Sequence, residues 1–236
     1  MIKAVIFDWF NTLARYEPPR ELVHSRALGE FGIELEPAKL IKPLTSADKY
    51  YFEENAMYPI RKRSAAEQEE LLSHYEKIVM TEAGLKFAEG LPLKVYLKGK
   101  ELFGDTMDFV LFDDVLPTMK TLREKKLTIG LLTNYAKDMW PLVTKLGIGS
   151  YIDFIVTPYE AGSDKPDPQI FYFALKQAKV TGDETIYIGD QYKVDIMGAR
   201  NAAIKRALMI DRYNLYSEIK DCSRINNLVE LNNYLE

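Results

Sequence analysis

The sequence predicts an α/β fold: a parallel sheet covered by helices on both faces, with a helical segment inserted after the first strand. Three observations carry that prediction. The chain opens on a β-favouring run, residues 2–7, that ends in Asp8. Strand signals then almost vanish between about residues 15 and 109. From residue 110 to the C-terminus, short apolar strands alternate with helix-period segments, as in a parallel sheet wrapped by its crossovers.

Apart from Lys3, the opening run is apolar without alternation, so it reads as a strand buried on both faces. Asp8 then falls at the carboxyl end of a parallel strand, where open α/β sheets bind their ligands. Taken alone, Asp8 reads equally well as a helix N-cap or a turn residue. The segment that follows is charged and aromatic, with helix periodicity over residues 20–31, 37–56 and 64–81. Pro18-Pro19, Pro43, Pro59 and Gly90-Leu91-Pro92 punctuate it. In the last part, strands are expected at 127–133, 151–156, 184–189 and 206–211, and helices at 115–125, 139–146, 168–178, 194–202 and 225–235. The expected division is a core formed by residues 1–14 and 110–236, with a helical domain at 15–109. Hinges are expected near 14–17 and 109–113.

Composition narrows the function classes. With 47% hydrophobic and 28% charged residues in 236, a sizeable core can form in an ordinary soluble protein. A net charge of −4 gives no reason to expect nucleic acid or a membrane surface as partner. The single cysteine, Cys222, excludes an intramolecular disulfide framework and suits a reducing cytosol. With only His24 and His74 beside it, a structural zinc site is not expected. No apolar stretch approaches a membrane span, and the N-terminus opens directly into a strand rather than a signal peptide. The expectation is a cytoplasmic protein, monomer or homodimer.

Polar residues end the apolar strands at three places, each where a loop begins. They are Asp8, Thr133-Asn134 after Ile129-Gly130-Leu131-Leu132, and Asp190 after Ile186-Tyr187-Ile188-Gly189, with Asp195 five positions on. Between the last two, Gly162-Ser163-Asp164-Lys165-Pro166-Asp167-Pro168 puts a lysine in a tight turn ahead of a helix. In a parallel sheet these ends share one edge, so a carboxylate, a hydroxyl, an ammonium and a pair of acids converge there. Each residue also has a bland reading: a capping hydroxyl for Thr133, a solvated loop charge for Lys165, turn or helix-start chemistry for Asp190 and Asp195. Asp164 and Asp167 read as turn or cap residues.

In this order and spacing the four segments resemble the haloacid dehalogenase superfamily of hydrolases, whose Rossmannoid core carries an inserted cap. The resemblance covers the whole chain. It implies that Asp8 is the nucleophile and forms a covalent aspartyl intermediate that water then hydrolyses. It implies that Thr133 donates its hydroxyl to the transferring group, with the Asn134 backbone amide beside it and Thr12 also on the substrate side. Lys165 would neutralise charge near the nucleophile. Mg²⁺ would be held by Asp8, Asp190, Asp195 and the backbone carbonyl of Phe10, an all-oxygen set. The implied substrate is a small phosphorylated or halogenated molecule.

The chain departs from the pattern at Phe10. Phosphatases of this superfamily usually carry there a second aspartate, which protonates the leaving alcohol and activates water. An aromatic at that position is instead similar to the 2-haloacid dehalogenase branch, where halide leaves without a proton. That branch lacks the acidic metal pair and has serine where this chain has Asp190. A Mg²⁺-dependent phosphatase is therefore the leading expectation. A 2-haloacid dehalogenase is the alternative, and a catalytically weak ligand-binding homologue the third. Asn11 stands where glycine or aspartate is commoner, and asparagine tolerates the positive φ of such a turn. Trp9 and Phe10 are expected to line the pocket. In the helical segment, Tyr50-Tyr51-Phe52 and Arg61-Lys62-Arg63 are candidate recognition elements, weighed against ordinary core and solvated-face readings.

Overall fold

The computed structural model describes residues 1–104, 106–135 and 137–235. Its chain divides into two compact units, one formed by Met1–Arg15 with Val110–Glu236 and the other by Tyr16–Phe109. In chain order, β1 (Ala4–Phe7) is followed by a tight turn and β2 (Ala14–Glu17). The helical unit then contributes α1 (Arg20–Gly29), α2 (Ile41–Met57), α3 (Ala65–Glu82) and α4 (Leu91–Phe103). The chain returns through β3 (Asp108–Leu111), which pairs with β2 in a two-stranded sheet. The remainder runs α5 (Val115–Glu124), β4 (Thr128–Leu132), α6 (Trp140–Lys145), β5 (Phe154–Val156), α7 (Pro158–Ala161) and α8 (Pro168–Ala178). It ends with β6 (Thr185–Gly189), a π-helical turn at Tyr192–Met197, α9 (Gly198–Asn201), β7 (Arg206–Ile210) and β8 (Ser223–Ile225).

The main sheet has the order β5-β4-β1-β6-β7-β8, and the strand pairings across it are parallel. All four residues of β1 are fully buried, as an apolar run between two helical layers requires. Ala4 and Ile6 pack with Ile170, Phe171 and Ala174 of α8 on one face. By alternation Val5 and Phe7 point to the other, where α5 lies against β4. The chain builds outward from β1 on one side through β4 and β5, then on the other through β6 to β8. That reversal makes the carboxyl end of β1 a topological switch point. Phe7 is in register with Leu131 and Ile188. Asp8, one residue further, and Thr133 and Asp190, two further along the neighbours, therefore leave the sheet at the same edge.

The helical unit has its own core. Ala27 and Leu28 of α1, Leu44 and Ala47 of α2, Val79 and Met80 of α3 and Val95 of α4 cluster there. Helix starts follow sequence signals. Ser64 and Glu67 form a reciprocal capping box at the start of α3. Asp167 accepts the Gln169 amide at the start of α8, so it is the cap residue its position suggested.

The structure corrects several element expectations. Residues 225–235 are not one helix: Ile225 ends β8, and Leu228–Tyr234 is a 3₁₀ helix that Asn227 caps through the Val229 amide. Two successive asparagines favour such side-chain capping over an uninterrupted helix. Gly90-Leu91-Pro92 is not a break but a beginning: Gly90 takes φ 79° and Pro92 lies in the first turn of α4, where its missing N–H costs nothing. The expected helix at 194–202 starts as a π-turn at Tyr192. β2, β3, α7 and β8 were not anticipated, because three or four residues are too few for a periodic signal.

Candidate active site

The turn after β1 is built by its own backbone. The Asp8 amide continues the ladder to the Ile188 carbonyl at 2.8 Å. The Trp9 carbonyl then accepts from the amides of Leu13 and Ala14, and the Asn11 amide donates to the Ala14 carbonyl. This tight reversal puts Asn11 at φ 57°, a conformation asparagine tolerates better than most residues. It also turns two side chains back: Thr12 Oγ1 donates to Asp8 Oδ2 at 3.3 Å, and Asn11 Nδ2 donates to Asp190 Oδ2 at 3.4 Å.

Lys165 arrives from the loop before α8. The Asn134 side chain holds its backbone by two bonds, Oδ1 accepting the Lys165 amide at 2.7 Å and Nδ2 donating to its carbonyl at 2.9 Å. The ammonium, 2% exposed, donates to Asp8 Oδ1 at 2.5 Å, Asp195 Oδ1 at 2.7 Å and the Tyr187 hydroxyl at 3.1 Å. Tyr187 in turn donates to Asp195 Oδ1 at 2.7 Å, while its ring packs edge-on against Phe171. Asp195 stands on the π-helical turn, a local insertion that often marks functional positions. Its Oδ2 accepts the Gln191 amide at 2.9 Å. This approach requires glycine at 189, since a Cβ there would lie 2.3 Å from Asp195 Cγ. Asp190 Oδ2 accepts from Gln191 Nε2 at 2.8 Å.

Burial raises the Asp8 carboxyl most, Asp195 adds to it and Lys165 opposes it, leaving it pushed up to about 6. Burial alone would lower the Lys165 ammonium, but Asp195 and Asp8 more than reverse this and hold it above its ordinary value. Burial and the neighbouring carboxylates push the Tyr187 phenol well up, so it stays a neutral donor.

Asp8, Asp190 and Asp195, all buried, bring one carboxylate oxygen each within 4.8 Å of one another. Lys165 bonds two of the three. Like charges gathered out of water at this spacing are costly unless cations lie among them. Oxygen donors of this number and hardness fit a divalent ion of the Mg²⁺ type.

The structure thus brings Asp8, Thr12, Lys165, Asp190 and Asp195 into one hydrogen-bonded cluster. Thr133 is buried at the same sheet edge, and its Oγ1 accepts the Tyr135 amide at 3.1 Å, keeping its proton for another acceptor. Asn134 contributes through its side chain as well, an effect the motif alone did not disclose. Phe10 is partly exposed, and its backbone bridges to Ala14. Trp9, expected to line the pocket, is fully buried. In the helical unit, Tyr51 packs edge-on against Phe52 and Tyr75, and Arg63 folds back onto the carbonyls of Tyr58 and Glu54. Sequence reasoning missed Tyr187, Gln191 and the Asn11 side chain. Tyr187 hides inside a β-favouring run, where an aromatic reads as packing.

A family model described as haloacid dehalogenase-like hydrolase matches residues 2–203. The glyceraldehyde 3-phosphate phosphatase of Methanopyrus kandleri is 30% identical over 215 residues, 86% of this chain and 82% of its own. The phosphoserine phosphatase of Thermus thermophilus is 28% identical over 129 residues, 54% of this chain and 51% of its own. Among solved structures, a 2-haloacid dehalogenase from Pseudomonas syringae superposes with a TM-score of 0.57 at 26% identity, covering 100% of this chain and 98% of that one. The magnesium-bound HAD hydrolase YfnB of Bacillus subtilis gives 0.63 at 18% identity, covering 100% and 99%, a likeness of fold.

Proposed function

Because the chain belongs to the haloacid dehalogenase-like hydrolases, we propose that it is a Mg²⁺-dependent phosphatase of small phosphorylated metabolites, acting in the cytoplasm through Asp8. The single observation that carries this reading is the convergence of Asp190 and Asp195 on Asp8, three buried carboxylates around one point. A nucleophilic carboxylate that needed no metal would gain nothing from two more acids beside it. Relatives named glyceraldehyde 3-phosphate phosphatase and phosphoserine phosphatase support a small phosphorylated substrate.

In this reading an Asp8 oxygen attacks phosphorus and the bond to the leaving oxygen breaks, its electron pair departing on the alkoxide or phenolate, which takes its proton from water. Water then attacks the aspartyl-phosphate, releasing inorganic phosphate and restoring the carboxylate. Asp8, Asp190, Asp195 and the Phe10 carbonyl would hold Mg²⁺, which when bound offsets repulsion between the anionic nucleophile and the phosphate. Lys165 orients Asp8 and places positive charge beside it. Thr12 holds the second Asp8 oxygen, while the Thr133 hydroxyl and the Asn134 amide donate to the phosphoryl oxygens. Phe10 transfers no proton, so esters with good leaving groups are favoured. The separate helical unit, residues 16–109, is the segment we assign as the substrate-selecting cap.

Phe10 favours a second reading, in which Asp8 attacks the halogen-bearing carbon of a 2-haloacid. The two are separated by p-nitrophenyl phosphate hydrolysis and by halide release from 2-chloropropionate. Wild type and Asp8→Asn are assayed with Mg²⁺ and with EDTA. Phosphate release that needs both Asp8 and Mg²⁺ is the expected result. Halide release that persists in EDTA, without phosphate release, would establish the dehalogenase instead.

A further inference from the structure

Arg212 lies two residues after β7, in a loop that the motifs do not touch. Its side chain is 9% exposed and makes an unusual set of contacts. The guanidinium donates to Asp114 through Nη1 at 2.9 Å and Nη2 at 3.1 Å. Nε donates to the carbonyls of Asn11 and Thr12, each at 3.2 Å, and Nη2 to the Thr12 carbonyl at 2.5 Å. Its plane stacks on Phe112, with Cζ 3.7 Å from the ring centroid. The loop that carries it is fixed in turn, because the buried Asp211 carboxylate accepts the amides of Leu215 and Tyr216.

The partners belong to two stretches of the core unit: the nucleophile turn just before β2, and the segment just after β3. Arg212 therefore ties together the two points where the chain leaves this unit and re-enters it. The tie reaches the site by one further bond. Thr12 gives its carbonyl to Arg212 and its hydroxyl to Asp8 Oδ2. A planar fork with five donors can serve two carbonyls and a carboxylate together, which a lysine cannot.

We propose that Arg212 is a positioning residue for the hydrolytic reaction, holding the turn at Asn11 and Thr12 so that Thr12 fixes the attacking carboxylate of Asp8. This rests on the phosphatase reading above.

The test compares p-nitrophenyl phosphate kinetics and melting temperature for wild type, Arg212→Gln, Arg212→Lys, Asp114→Asn and Thr12→Val, with the Arg212→Gln/Thr12→Val double variant. Arg212→Gln is expected to lower kcat about 10- to 100-fold, with KM moving less than about threefold, since the loss is of alignment rather than binding. Arg212→Lys should fall between. Asp114→Asn weakens the same ion pair but leaves the carbonyl bonds, so it should lower the melting temperature while kcat stays within about threefold. If Arg212 acts through Thr12, the double variant loses no more kcat than the worse single one.

Wild-type kcat in Arg212→Gln would overturn the proposal. Equal kcat loss in Asp114→Asn, or additive loss with Thr12→Val, would also overturn it and leave Arg212 a merely structural residue. If Arg212→Gln fails to fold, the same comparisons on Arg212→Lys decide. A wild type without turnover counts against the phosphatase reading; the Mg²⁺-induced rise in melting temperature then decides, a smaller rise in Arg212→Gln supporting the clamp and an equal rise removing it.

Discussion

Both units of this protein bury charge, but they do so in opposite ways. In the helical unit, the Asp48 carboxylate is met by one guanidinium, Arg20, at 2.6 and 2.7 Å, with the Tyr75 hydroxyl donating to the same carboxylate at 3.1 Å. Burial alone would depress Arg20, but Asp48 and Tyr75 more than reverse it. At Asp48 opposite charges meet one for one, while the buried Glu76 of the same unit faces His24 Nδ1 at 2.9 Å. In the core unit, three carboxylates converge on one point and a single ammonium is shared between two of them. Matched charge neutralises itself; like charge gathered out of water is the arrangement from which the cation site is proposed. The contrast distinguishes a self-neutralised cluster from the proposed active site without reference to any motif.

The sharpest way to break this comparison is to neutralise charged members of both clusters. Asp8→Asn should lower Mg²⁺-dependent hydrolysis of p-nitrophenyl phosphate by at least about 10³-fold, as loss of a nucleophile does. Lys165→Met should cost about 10²- to 10³-fold in kcat, the scale of removing one preorganised electrostatic donor. Asp48→Ala, in contrast, should act on stability. It leaves a guanidinium that is only 18% exposed without its carboxylate, at the lower end of about 3–5 kcal/mol in urea denaturation. Loss of turnover in folded Asp48→Ala would erase the distinction between the two clusters.

Phe10→Asp sharpens the account from the other side. Restoring a proton donor should raise kcat/KM for glycerol phosphate relative to p-nitrophenyl phosphate, by about 10- to 100-fold, because only the alkoxide needs the proton. The smallest effect is one of pH. Burial holds the Asp8 carboxyl up to about 6, so below that pH the proton occupies the oxygen that a metal needs. Calorimetric titrations should show Mg²⁺ affinity weakening about tenfold per pH unit below that point and levelling off above it.

Much of the core could be read from the chain. β1, β4 and β6 are apolar runs ending in Asp8, Thr133 and Asp190, and a buried parallel strand announces itself by that composition. The elements that escaped are those whose cause is tertiary. β8 is three residues long and exists through its pairing with β7. α4 hides behind a glycine and a proline that initiate it. The site follows the same division. Asp8 and Asp190 are polar residues where an apolar run stops, while Lys165 and Asp195 are marked only by their order and spacing relative to those two. Tyr187, Asn134 and Arg212 act through partners 8, 31 and 200 or more residues away. No local pattern can disclose such bonds; only the folded sheet brings them together.

The most direct test of the central claim is a thermal melt of wild type and Asp190→Asn, each with EDTA and with millimolar Mg²⁺. If the three carboxylates form a cation site, Mg²⁺ raises the wild-type melting temperature, since a ligand bound only by the folded state stabilises it. The rise is then largely lost in Asp190→Asn. A wild-type melt unmoved by Mg²⁺ would contradict the account, showing that the convergence of Asp8, Asp190 and Asp195 is not a metal site.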